Sequence, residues 1–128
     1  MKFLGVFLIT AVGVLASSAL FAGDLVGYWK NDKEPVWIDI QFENGTGTGT
    51  VRRNDNRHES VGRTLIKDLV SDGSESITWR GQIYARKFDE FKDAQFTLPE
   101  PDRMEIKVKV GFMSRTVSWT RAAPPPKY

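Results

Sequence analysis

The chain has no cysteine and a single histidine. Without a thiol there is no disulfide, no thiolate metal site, no cysteine nucleophile and no lipid-anchored N-terminal cysteine. The lone imidazole, His58, stands near Asp55 and Glu59 in a polar stretch. A metal site needs more imidazoles or a compact carboxylate set, so an exposed loop histidine is expected. The Gly-x-Ser-x-Gly signature of a serine nucleophile is missing. The carboxylates show no recognisable catalytic pairing, and a glycosidase would need a defined separation across a cleft. No catalytic residue, cofactor or metal is expected from these residues.

Charge of one sign is scarce as well. Lys plus Arg is 18 against 16 for Asp plus Glu, a net charge of +2. That balance speaks against a dedicated nucleic-acid binder. The run Gly45-Thr46-Gly47-Thr48-Gly49-Thr50 lacks the Gly-Lys-Ser/Thr end of a phosphate loop. Its alternating glycines instead suit a strand with close backbone approach, and Gly47, Gly49 and Gly81 are candidates to open space in a wall.

Long apolar runs are confined to the start. Lys2 is followed by apolar residues from Phe3 to Leu15 and by small residues up to Ala22. This reads as a secretory signal peptide over 1–22, cut after Ala22, where the polar chain begins, with a cut after Ala19 as the alternative. An uncleaved span is the alternative on length, but Thr10, Ser17 and Ser18 dilute the run. The expected address is the periplasm or the extracellular space, with no stable membrane span after cleavage. An exported domain without disulfides must be held by its core.

What remains is dominated by period-2 alternation. Val36, Ile38, Ile40 and Phe42 share one face, and Trp37, Asp39 and Gln41 the other. Met104 to Phe112 repeats the pattern. Strands are expected roughly at 25–30, 36–43, 47–53, 61–69, 76–84, 92–98, 104–112 and 114–121. The segment 61–69 reads as strand or short helical turn. Asn44-Gly45 is a strong hairpin signal. Asn54-Asp55-Asn56, Ser71-Asp72-Gly73-Ser74 and Pro99-Glu100-Pro101-Asp102 mark further turns. Short sequential strands favour antiparallel neighbours, and closure removes exposed edges. The expected fold is all-β: a small up-and-down antiparallel barrel over 23–121, then a Pro-rich tail, 122–128, extended on the surface.

An up-and-down barrel brings its first and last strands together. Trp29 then plugs one end and Arg121 lies across its indole, a cation–π contact worth about 0.5–2 kcal/mol. Gly27-Tyr28-Trp29 and the closing Arg121 resemble the lipocalin-type barrels. With Trp79-Arg80-Gly81-Gln82-Ile83-Tyr84, Lys92 to Leu98, Val108 to Phe112 and Trp119-Thr120-Arg121, the chain resembles the uncharacterised bacterial family known as domain of unknown function 2147. Gly81-Gln82, Ala85-Arg86 and Phe91 to Ala94 depart from that family's pattern. The resemblance implies a small exported barrel of unassigned activity and carries over no catalytic residues.

The inward parity includes Val36, Ile38, Ile77, Ile83, Val117 and Trp119. Within it, Ile40, Trp79, Phe96, Val108 and Phe112 are the candidate contacts for a small apolar ligand. A mostly filled barrel with a shallow cavity at one end is expected. Arg52, Arg53 and Arg57, with Arg63 nearby, offer an anion contact at the mouth, against the commoner reading of a solvated face. Trp37 and Tyr84 break the polar face and suggest a surface patch. Three readings follow: an envelope carrier or sensor of a small molecule, an interaction or structural protein with a filled barrel, and, last, an enzyme.

Overall fold

The computed structural model describes residues 24–73 and 77–128. The expected leader, 1–22, and Ser74 of the expected turn lie outside the described residues. Eight strands follow one another: β1 (Gly27–Asn31), β2 (Val36–Glu43), β3 (Thr46–Asn54), β4 (Thr64–Ser71), β5 (Thr78–Ala85), β6 (Glu90–Glu100), β7 (Arg103–Val110) and β8 (Met113–Ala122). Each pairs antiparallel with the next, and β1 pairs with β8 to close the barrel. The closing register sets Trp29 opposite Arg121 and Asn31 opposite Trp119. The up-and-down barrel read from the alternation is therefore the fold.

Local chemistry fixes the turns. Asn44 and Gly45 adopt φ of 56° and 83° between the paired Glu43 and Thr46. Two positive φ values in a two-residue loop match the twist of the flanking strands, and Asn-Gly supplies them at little steric cost. At the other end Gly111, φ 65°, opens a two-residue loop between the paired Val110 and Met113. The chain reverses there, although the apolar alternation runs on to Phe112. Strand β7 thus stops at Val110, and Phe112 stands fully exposed at the tip.

Two other boundaries differ from expectation. The segment 61–69 divides: a 3-10 turn, His58–Ser60, precedes it, and β4 begins at Thr64. Pro99 is inside β6 rather than in a turn, because the β6–β7 register shifts between Thr97 and Glu100. An irregularity of this kind leaves a residue without a ladder donor, which proline tolerates.

The core is one cluster on the inner face. Leu25, Trp29, Ile38, Ile40, Ile66, Leu69, Phe96, Met104 and Ile106 are fully buried. Each large apolar side chain contributes about 1.5–3 kcal/mol on leaving water. Ile77, like Phe112, departs from the inward position read from the sequence: it lies just before β5 and is exposed.

The glycines expected to open space do the opposite. A Cβ at Gly47 would stand 2.8 Å from the Phe42 ring, and one at Gly49 3.0 Å from Ile66. At Gly81 it would meet the β4 backbone, 3.0 Å from Leu69 Cα and from the Lys67 carbonyl oxygen. There β4 is irregular: Asp68 takes φ 54° and the β4–β5 register shifts between Lys67 and Val70. Absent side chains let neighbouring groups pack into the wall.

Candidate functional site

The two ends of the barrel differ in chemistry. At one end the entering segment packs Leu25 and Trp29 into the interior, and the Trp29 indole N–H donates to the Leu25 carbonyl at 2.9 Å. The Arg121 guanidinium lies 4.3 Å from the centre of the Trp29 ring. It donates to the carbonyls of Val26 and Asp24 at 2.8 Å and of Pro101 at 3.0 Å. Burial pulls the Arg121 pKa below the usual guanidinium value, while Asp24 and Asp102 act in the opposite sense. One cation thus joins the entering segment, the β6–β7 turn and the last strand over the plug.

The other end carries the β1–β2, β3–β4, β5–β6 and β7–β8 connections. Among them lies an open cavity of about 1100 Å³, at the upper edge of small-molecule sites. Its apolar wall comes from Val36, Val51, Leu65, Ile83, Val117 and Trp119. Trp119 is buried, and its indole N–H has no hydrogen-bond partner among the described residues.

Polar groups form the rim. Tyr84 borders the cavity, packs edge-on against Phe91 at 5.5 Å and donates its hydroxyl to the Asp89 carboxylate. Ionisation would forfeit that donation and set two anions together, so the phenol pKa is raised. Arg115 is opposite the buried Val108 in the β7–β8 ladder. Directly paired residues share a face, which puts Arg115 on the inner wall at the mouth.

The residues singled out in the sequence fall elsewhere. Ile40, Trp79, Phe96 and Val108 are buried in the core, and none of them borders the cavity. Phe112 projects into solvent. Alternation separates inside from outside but says nothing about height along the barrel, and the cavity is bounded by inner residues near one end. Val51, Leu65, Arg86 and Arg115 were not singled out as contacts. Arg115 shares the parity of Val117 and Trp119, which was the available signal.

The arginine cluster divides in the same way. Arg52 faces the buried Asp39 at 3.6 Å on the outer wall. Arg53 binds Asp55 at 2.7 Å and the Pro126 carbonyl at 2.8 Å, and lies 4.7 Å from the Tyr128 ring centre. Only Arg57 of the three borders the cavity, with Glu59 at 3.4 Å. His58 is exposed, as expected, and stacks on Tyr128 with ring centres 3.6 Å apart. The tail is thereby held against the β3–β4 connection. Trp37 on β2 sits between Lys30 and Arg53, 5.3 and 5.6 Å from its ring centre. With β5 three strands away, Trp37 and Tyr84 do not form one patch.

No family model, curated protein or solved structure matches the chain. Among the described residues no group of three or more His, Asp or Glu is placed to hold a metal ion. No helix there is long and apolar enough to cross a membrane.

The position of Phe112 yields a direct expectation. Phe112→Ser removes no buried contact, so its unfolding free energy in urea should stay within about 0.5 kcal/mol of the parent. A loss of several kcal/mol would place the ring inside the barrel.

Proposed function

We propose that the chain is an exported, lipocalin-like barrel that takes up a small apolar or amphipathic molecule at its open end. The observation that carries this reading is the apolar-walled cavity beside a core closed by Trp29 and Arg121. Side chains fill the closed end, so a ligand enters from the rim and rests against Val51, Ile83, Val117 and Trp119. The leader at 1–22 and the likeness to lipocalin-type barrels support an envelope carrier or sensor.

The test uses the neutral fluorescent probe N-phenyl-1-naphthylamine with the purified chain. Saturable enhancement at one site is expected. Val117→Trp, which puts an indole against the apolar wall where the ligand would rest, should weaken binding at least about tenfold, since contacts with that wall set the affinity. Val51→Phe provides an independent block should Val117→Trp unfold the barrel. Absence of saturable enhancement in the folded parent would overturn the carrier reading in favour of a filled-barrel interaction protein.

A further inference from the structure

We infer that the ligand is a single-chain anionic amphiphile, its tail in the apolar cup and its carboxylate-type head on the arginines of the rim. This inference rests on the carrier reading above and adds the charge and orientation of the ligand.

Positive charge outweighs negative around the cavity. Among the described residues, Lys33, Arg57, Arg63, Arg86, Arg103 and Arg115 border the cavity, against Asp32 and Glu34 as the bordering carboxylates. The whole chain is close to neutral, so the excess is local. Part of it is already balanced. Arg103 lies 3.9 Å from Asp32 and 3.4 Å from Glu105, and Arg57 lies 3.4 Å from Glu59.

The remaining arginines are different. Arg63, Arg86 and Arg115 form none of the ion pairs found among the described residues. They come from three separate places: the end of the β3–β4 connection, the start of the β5–β6 turn, and β8. Arg115, on the inner face, stands in register beside the apolar wall, two residues from Val117 and four from Trp119. A guanidinium presents a planar fork suited to a carboxylate. The apolar part of the lining, Val36, Val51, Leu65, Ile83, Val117 and Trp119, suits a hydrocarbon chain and not a second charge. The two zones match a molecule with one anionic end and one apolar tail. A cationic amphiphile meets like charge at the same rim.

The test compares three ligands of one chain length, decanoate, decan-1-ol and decyltrimethylammonium, each below its micellar range, as displacers of N-phenyl-1-naphthylamine. Exposed ion pairs are individually weak, and several together support a preference of about tenfold. Decanoate should therefore bind about tenfold tighter than decan-1-ol, with decyltrimethylammonium weakest. The variant combining R63Q, R86Q and R115Q should bind decanoate and decan-1-ol alike while retaining its affinity for decan-1-ol. In the parent, raising salt from low to high concentration should shrink the preference, because the rim is solvent-exposed and screened.

Equal binding of the three ligands by the parent overturns the anionic assignment and leaves the carrier reading standing. So does a preference for decanoate that survives in the triple variant. Displacement by none of the three overturns the anionic assignment, whereas absence of saturable probe binding overturns both. Sedimentation with phosphatidylglycerol vesicles, without displacement by monomeric decanoate, overturns the inference in favour of a membrane surface as the anion.

Discussion

Trp29→Ala is expected to cost about 3–5 kcal/mol of unfolding free energy, the range for removing a large buried aromatic. Trp29 is fully buried, donates to the Leu25 carbonyl and carries the Arg121 guanidinium on its face. Its loss leaves a cavity under a partly buried cation. Small domains have about 5–15 kcal/mol in total, so the urea midpoint should fall steeply or the variant should fail to fold. Arg121→Met keeps the apolar stem and removes the three donations to carbonyls. Its expected loss is smaller, about 1–3 kcal/mol for carbonyls deprived of donors. Equal urea midpoints for Trp29→Ala and the parent would show that the closed end is not a plug.

Gly81 should be the least replaceable glycine in the wall. A Cβ there meets backbone atoms of β4, at Leu69 Cα and the Lys67 and Asp68 carbonyl oxygens. Backbone cannot rotate aside as a side chain can, so the two strands must separate. Gly81→Val is expected to cost about 3 kcal/mol, at the upper end of overpacking effects. Gly47→Ala presents a nominally closer contact, 2.8 Å, but to the end of the Phe42 ring. The partly buried ring can move outward, and a loss of about 1 kcal/mol is expected there. Urea unfolding of Gly81→Ala beside Gly47→Ala decides the matter: Gly81→Ala should be the less stable, and the reverse order would mean that β4 yields.

These glycines also show where the sequence was legible. Alternation at Val36–Phe42 and Met104–Val110, with Asn44-Gly45 between β2 and β3, was enough for an antiparallel barrel. Trp29 and Arg121 met because closure brings the chain ends together. The irregularity of β4 was not legible, since Asp68 takes its positive φ beside Gly81 of the neighbouring strand and no turn signal marks the place. The continued apolar pattern pointed Phe112 inward, but Gly111 reverses the chain one residue earlier.

The site was harder to read than the fold for a geometric reason. Parity gave the inner face, and Val36, Ile83, Val117 and Trp119 were on it. Height along the barrel depends on strand tilt and register, which alternate residues do not encode. Ile40, Trp79 and Phe96 have the inward parity but lie in the core, away from the cavity. The arginines of the rim come from separate connections, and only closure of the sheet brings Arg63, Arg86 and Arg115 to one opening.

The central claim is that binding takes place in the cup at the open end. An amide and indole N–H correlation spectrum, recorded while N-phenyl-1-naphthylamine is titrated in, tests it most directly. A saturable shift of the Trp119 indole resonance is expected, with amide shifts at Val51, Leu65, Ile83 and Val117, and little change in the Trp29 indole. Shifts confined to Trp37 on the outer wall, or no shifts at all in the folded chain, would contradict it.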